Sequence, residues 1–408
     1  MEILEAKNLV IEAGKKLVKT GLIARTWGNV SCRVSPTQFV ITPSGRAYET
    51  LTPDEIVLVN IADCSYEGNI KPSSEKGIHA SVYEMRPEMD FVIHTHQPYA
   101  SAAAAIGYDI NSLSQEAADL IGPGVTVAAY GLPGTSKLKN GVRAAMKRSP
   151  SKAILMAHHG ALCMGEDMEE AFAVANELEK VCENFIKDRF YTVTGNLAEN
   201  YSELTAYFAE LKKGKKNQTM PAFDYYDSSR EGETAVLISK KDGSIIRVNL
   251  DCPVETTKDS ADYTPAVDLH KAVYNNRGDV NYIHHSDTPN IKAFSAQPKA
   301  LKPFLDDFAQ LVGLTCRNAA FNPADTLKTS QKVVKKLKGR NAVMLKDNGA
   351  LCVAGDQYDA QAIEMVLDKN INVAAATSVF SGTKVINCVE SALMRFVYKT
   401  KYSKQKNK

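Results

Sequence analysis

Residues 78–98 read IHASVYEMRPEMDFVIHTHQP, and residues 269–289 read LHKAVYNNRGDVNYIHHSDTP. Downstream, GALCMGEDMEEA at Gly160–Ala171 is echoed by GALCVAGDQYDA at Gly349–Ala360, and Leu178-Glu179-Lys180 by Leu367-Asp368-Lys369. A short GALC word can recur by chance. Matched flanks in the same order, at a nearly constant offset, instead identify an internal repeat of a whole domain. Within the first copy, Phe91-Val92-Ile93-His94-Thr95-His96 is an apolar strand ending in His-x-His. Alternate residues of a strand share a face, so His94 and His96 point the same way.

Outward from that strand, the elements alternate. Ile3, Leu4, Ala6, Leu9, Val10, Ala13, Leu17 and Val18 fall on one helical face, and Gly21 ends that helix. Phe39–Thr42 and Ile56–Val59 are strand-like. Pro72-Ser73-Ser74-Glu75 reads as a helix start, with Ser73 or Ser74 as the N-cap, Glu75 in the first turn, and the helix running to Met85. Val125–Tyr130 and Ala153–Ala157 are further strands, the second delivering His158-His159-Gly160, and Asp167 opens a helix through Phe185. Strands covered by helices make a layered α/β domain. The polar, basic stretch around Lys212-Lys213-Gly214-Lys215-Lys216 reads as a solvated linker. The expected organisation is a first domain over residues 1–200, a linker over 201–222 and a second domain over 223–408, with a mobile basic tail from Lys399 to Lys408.

A length of 408 residues suits two domains, and 44% apolar with 24% charged residues is the composition of an ordinary soluble protein. The net charge of +2 makes no case for nucleic acid. MEILEAKN is not an apolar leader and no run approaches a membrane span, so the expected location is cytoplasmic, with no membrane partner. The cysteines are scattered without a C-x-x-C pair, which argues against a cysteine-based zinc site.

His94 and His96 on one strand face, with His159 just past another strand end, offer three imidazole nitrogens to one ion. Three ligands with open positions describe a catalytic zinc site, although imidazole suits other divalent metals equally. A histidine in an apolar strand is as often a hydrogen-bonded core residue, and His158 has that reading. Glu75 beside Ser73 and Ser74 at a helix start suggests an acid/base group next to an anion site. Thr26-Trp27-Gly28-Asn29-Val30-Ser31 and Thr42-Pro43-Ser44-Gly45 read as two more polar turns.

In order, Gly28-Asn29-Val30-Ser31, Thr42-Pro43-Ser44-Gly45, Pro72-Ser73-Ser74-Glu75, His94-Thr95-His96 and His158-His159-Gly160 resemble the motif set of the class II aldolase/adducin family, within it the L-fuculose-phosphate aldolase group. The resemblance covers about residues 1–195. It implies a layered α/β/α class II aldolase fold in two tandem copies, with His94, His96 and His159 as zinc ligands and Glu75 as the acid/base group. It also implies a phosphate pocket of Asn29, Ser44, Gly45, Ser73 and Ser74, with Thr26 a weaker member. The implied reaction is cleavage of a ketose 1-phosphate to dihydroxyacetone phosphate and an aldehyde through a metal-stabilised enediolate. Epimerisation or dehydration on the same site is the alternative chemistry, and a non-catalytic adducin-like assembly role is the alternative class. The implied assembly is a homo-oligomer, a dimer or tetramer of tandem chains.

One departure concerns the aldehyde half of the substrate. Aldolases of this family carry a tyrosine after the His-x-His helix, where this chain has Ser112-Leu113-Ser114-Gln115-Glu116-Ala117. Gln115, Glu116, Tyr99 and Tyr130 are the candidates to replace it. In the second copy His94 is matched with His284, His96 with Ser286, His159 with Asn348 and Glu75 with Ala266. That copy is expected to be degenerate and to lack a metal site.

Overall fold

The computed structural model describes residues 1–23, 27–212, 219–252 and 263–402. Thr26, nearly all of the basic run at 212–216 and the end of the basic tail lie outside the described residues. The chain divides into two units. Met1–Leu197, Val379–Val385 and residues from Phe396 form the first, and Ala198–Ser378 with Ile386–Arg395 form the second.

In the first unit the strands are β1 (Asn29–Ser35), β2 (Gln38–Ile41), β3 (Val57–Asn60), β4 (Phe91–Thr95), β5 (Thr126–Ala128), β6 (Ala153–Met156) and β7 (Gly160–Gly165). They form one sheet in the order β3-β2-β1-β4-β7-β6-β5. Among these strands only β5 and β6 pair parallel. Helices α1 (Ile3–Lys19), α3 (Pro98–Ile106), α4 (Gln115–Ile121) and α6 (Met168–Thr194) bury their apolar stripes with Val30, Phe91, Ile93 and Cys163 on one face. Helices α2 (Lys76–Met85) and α5 (Ser136–Arg148) cover Val92, Leu162 and Met164 on the other. The strand period therefore sends Ile93 into one layer and Val92, with His94, toward α2. The unit is a three-layer α/β/α domain.

The second unit repeats this plan. Its strands are β8 (Tyr226–Glu231), β9 (Thr234–Ser239), β10 (Ile245–Asn249), β11 (Tyr282–Ser286), β12 (Arg317–Ala319), β13 (Ala342–Leu345) and β14 (Ala350–Ala354), in the order β10-β9-β8-β11-β14-β13-β12. Both units use seven strands in one order, which is what duplication of a whole domain produces.

Two local expectations change. Gly28-Asn29-Val30-Ser31 is not a turn: Asn29–Ser35 is a strand near the middle of the sheet, hydrogen-bonded to β2 and β4. Its alternation of Val30, Cys32 and Val34 with Ser31, Arg33 and Ser35 is a half-buried strand pattern. The stretch read as a linker opens instead with a helix, α7 (Tyr201–Lys212), whose Leu204 and Thr205 are buried. Thr205 Oγ1 donates to Asn372 Oδ1 at 3.2 Å, on helix α8 (Gln357–Thr377), so α7 belongs to the packed second unit.

The two cores differ at one cluster. Val30 and Ile93 pair across β1 and β4 and pack with Ala175 of α6. The matching places in the second unit are Asp227, His284 and Glu364. His284 Nδ1 lies 2.9 Å from Asp227 Oδ2, and Nε2 lies 3.0 Å from Glu364 Oε1. Burial alone would lower the His284 imidazole, but its bonds to Asp227 and Glu364 override that and push it up to about 9. A group raised in the folded state contributes stability that is complete below its unfolded value and is lost as pH rises through the folded one. The triple replacement Asp227→Val, His284→Ile, Glu364→Ala restores the first unit's residues. It is expected to keep or raise the melting temperature near neutrality and to flatten its fall toward about pH 10. His284→Ile alone strands two carboxylates and should cost about 3 kcal/mol, read by denaturant melts.

Candidate active site

His94 stands in the sheet between Asn29 of β1 and Leu162 of β7. His96 follows at the strand end, its backbone N–H donating to the Leu22 carbonyl at 3.1 Å. His159 comes from the turn between β6 and β7, where His158 takes a left-handed φ of 61°. Asp347 holds the same place in the second unit at φ 62°, so this turn geometry belongs to the scaffold. Gly160 lets the turn close: a Cβ there would collide with the Thr95 carbonyl and sit 3.2 Å from His94 Cε1. Gly160→Ala is expected to cost about 1–3 kcal/mol and to weaken metal retention, as read by thermal melts and metal analysis.

The three imidazoles are buried, and one nitrogen from each lies within 4.8 Å of the others. His94 Nδ1 lies 2.9 Å from the Ala161 carbonyl, which can only accept, so Nδ1 carries the proton and Nε2 presents its lone pair. Facing that lone pair are His96 Nε2 at 3.0 Å and Glu75 Oε2 at 3.4 Å, while Glu75 Oε1 lies 2.9 Å from His159 Nε2. Electron-rich nitrogens and a carboxylate converging in a buried space fit a divalent cation. Burial alone would raise the Glu75 carboxyl. The adjacent His159 and His94, with hydrogen bonds from His159 and Asn29, hold it well below the usual carboxylate range.

Helix α2 begins later than its Ser-Ser-Glu start suggests. Glu75 occupies the N-cap at φ −100°, ψ 10°, outside the first turn, and its backbone N–H donates to Ser73 Oγ at 3.2 Å. The capping position leaves the Glu75 side chain free of the helix and turned onto the histidines. Short backbone bridges gather the other polar segments. Ser44 N donates to the Lys71 carbonyl at 2.9 Å, Ser73 N to the Thr42 carbonyl at 3.0 Å, and Pro43 pairs with Pro72. Thr42 N in turn donates to the Val30 carbonyl at 3.0 Å. Ser44, Ser73 and Ser74 therefore come together beside β1, and Gly45 follows at φ 74°. The Asn29 amide is directed elsewhere: Nδ2 donates to Glu75 Oε2 at 2.9 Å.

Of the candidates for the missing tyrosine, Tyr130 has its ring edge-on to His158, the neighbour of His159, at 5.4 Å. Tyr99 lies on the α6 side of the sheet, where burial and the carboxylates of Glu183 and Glu179 push its phenol up. Gln115 bonds Asp119 on the exposed face of α4, where Glu116 also lies. Sequence reasoning overlooked His79, four residues after Glu75 and buried beside Asn29. Its recurrence as His270 in the two quoted stretches was the available signal.

Strand register corrects the pairing of the copies. Thr95 pairs with Ala161 and Ser286 with Ala350, so His94 corresponds to His285 and His96 to Asp287, one residue later than the sequence matching gives. The outcome for the ligand set is similar, but the surviving imidazole is turned the other way. His285 Nε2 is 2.8 Å from the Asn348 carbonyl, so the nitrogen that His94 leaves bare is here a donor. The Tyr225 ring stacks on His285 at 4.0 Å, Phe223 lies 5.4 Å away, and Asn348 Nδ2 donates to the Pro221 carbonyl. The segment 221–225 thus packs where a ligand would sit.

Among the described residues, His94, His96 and His159 are the one group with metal-ligand spacing, and no helix is long and apolar enough to cross a membrane. The chain matches the family described as Class II Aldolase and Adducin N-terminal domain over residues 8–186 and again over 237–374. It is similar to a 5-deoxy-D-ribulose 1-phosphate aldolase of Bacillus thuringiensis serovar kurstaki, 33% identical over 44% of this chain and 83% of that protein. It is 35% identical to a 5-methylthioribulose-1-phosphate/5-deoxyribulose-1-phosphate aldolase of Escherichia coli O45:K1, over 46% of this chain and 86% of the relative. An L-fuculose phosphate aldolase of Haemophilus influenzae is 32% identical over 45% of this chain and 83% of its own length. With a family match in each half and the fold duplicated strand for strand, the chain belongs to the class II aldolase and adducin N-terminal domain family, as a tandem duplication and a metal-dependent carbon–carbon lyase.

Proposed function

We propose that the first unit is a zinc-dependent aldolase that cleaves a ketose 1-phosphate to dihydroxyacetone phosphate and an aldehyde. The observation that carries it is the His94 tautomer: Nδ1 is committed to the Ala161 carbonyl, and the bare Nε2 meets His96 and Glu75 in a buried space. His94, His96 and His159 would hold the ion, which supplies Lewis acidity toward the sugar's carbonyl and neighbouring hydroxyl oxygens. Ser44, Gly45, Ser73 and Ser74 anchor the phosphate, and the start of α2 adds backbone donors there. Asn29 lines the same pocket but spends its side-chain amide on Glu75. Glu75 takes the C4 hydroxyl proton as the C3–C4 bond breaks, leaving the bond's electron pair on the dihydroxyacetone phosphate fragment as the enediolate. Glu75 then delivers a proton to that carbon. Tyr130, whose ring lies edge-on to His158, serves the aldehyde half. The relatives named for 5-deoxyribulose, 5-methylthioribulose and fuculose phosphates support this substrate class.

The second unit, on this reading, is a silent copy. Ala266 replaces Glu75, Asp287 is engaged by Lys240 at 3.1 Å, and His285 is capped by Tyr225. It takes the place of a neighbouring subunit, so two chains pair to give four domains, which light scattering of the full chain tests. The enzyme works in the cytoplasm. The direct test of the function is a screen of ketose 1-phosphates with enzymatic detection of dihydroxyacetone phosphate, with and without chelator. Chelator-sensitive release supports the reading. Epimerised or dehydrated product without release points to the alternative chemistry, and metal-free inactive protein to an assembly role.

A further inference from the structure

A run of buried polar side chains leads from Glu75 into the layer between sheet and helix. Asn29 Nδ2 donates to Glu75 Oε2 at 2.9 Å, and Asn29 Oδ1 bonds His79 Nε2. Ser31 Oγ lies 2.6 Å from His79 Nδ1 and 2.6 Å from the Tyr83 hydroxyl. All five residues are buried.

Proton bookkeeping along this run has one solution. An ionised carboxylate only accepts, so Asn29 must turn its NH₂ to Glu75 and its carbonyl to His79. His79 then carries its proton on Nε2 and accepts at Nδ1. Ser31 supplies the hydrogen there and in turn accepts from Tyr83. The chain is polarised in one direction and ends on Glu75. A neutral ring suits this: burial pushes the His79 imidazole down to about 3, against the pull of Glu75.

The second unit serves as an internal control. Ser228 Oγ lies 2.8 Å from His270 Nδ1 and 2.8 Å from the Tyr274 hydroxyl, so the Ser-His-Tyr trio is intact. The place of Asn29 is taken by Tyr226, and that of Glu75 by Ala266. His270 Nε2 has no hydrogen-bond partner among the described residues. The trio on its own ties helix to sheet in both units, whereas the Nε2 bond exists only where a glutamate waits beyond the asparagine.

We propose that His79 is a positioning residue, fixing the Asn29 amide so that it holds Glu75 against His94 and His159. The role rests on the reading of Glu75 as the acid/base group. In the metal-loaded full-length protein, His79→Leu is expected to lower kcat at least about tenfold, with KM and bound metal changing less than about twofold. His79→Gln, which keeps an N–H donor, should restore most of that loss. His270→Leu cuts the matching trio in the second unit and should melt as early as His79→Leu with kcat unchanged. Equal loss in the Leu and Gln variants, or kcat unchanged in His79→Leu, overturns the proposal. An NMR readout stands apart from activity and from variant folding. In ¹⁵N-histidine-labelled wild type, His79 should be the Nε2–H tautomer, and Asn29→Leu should speed exchange of that proton. An Nδ1–H tautomer, or exchange unmoved in Asn29→Leu, sinks the relay. If no sugar phosphate is cleaved, the aldolase reading fails, and the NMR arm still decides whether His79 fixes Asn29.

Discussion

Replacing His94 with alanine is expected to strip the bound divalent ion and lower turnover on the order of 10³-fold or more. His94 is the centre of the cluster. Its Nε2 faces both His96 and Glu75, and its ring stacks on His159 at a centroid distance of 4.6 Å. The variant also leaves a donorless gap beside the Ala161 carbonyl, so the remaining rings lose the wall that sets their spacing. The sheet should still form, because the second unit builds the same strand order with only one of the three histidines kept in register. Metal per chain, kcat and a thermal melt measured together separate loss of the ion from loss of the fold. The matching variant His285→Ala removes a ring whose Nε2 is spent on the Asn348 carbonyl, and it should leave bound metal unchanged.

Glu75→Gln is expected to retain the ion and lower kcat by about 10²–10⁴-fold, the range of a lost general acid/base. Glutamine keeps the shape and an acceptor for the Asn29 amide, and the three histidines are untouched. What it loses is the exchangeable carboxyl proton. His159 and His94 hold the Glu75 carboxyl low in the resting site, so it meets substrate as the charged base. Steady-state kinetics on the cleaved ketose 1-phosphate, with metal content measured on the same sample, checks this. A variant that turns over normally, or one that loses its metal, would assign Glu75 a different role.

Much of this was legible in the chain. His94-Thr95-His96 follows the apolar run Phe91-Val92-Ile93, and a period of two settles which face they share. The repeat of GALC with its flanks predicted a second domain, and the identical strand orders bear that out. The family motifs led to the right fold because each marks a segment that must meet its neighbours. Thr42 bonds Val30, Ser73 bonds Thr42 and Ser44 bonds Lys71 through their backbones.

What was not legible depended on long-range geometry. Gly28-Asn29 reads as a turn because Gly and Asn favour one locally, yet sheet pairing overrides that and makes Asn29 the first residue of a strand. The one-residue slip at His284 and His285 arose because two adjacent histidines offer equal matches, and only strand register distinguishes them. The partner of Asn29 was equally hidden. A phosphate was its expected contact, and Glu75, 46 residues away in sequence, is the observed one.

The central claim is one live and one silent metal site in a single chain. Elemental analysis of the purified full-length protein, reconstituted with zinc and freed of excess, tests it most directly. One ion per chain, lost in His94→Ala and kept in His285→Ala, is the predicted result. Two ions per chain, or one that survives His94→Ala, would contradict it.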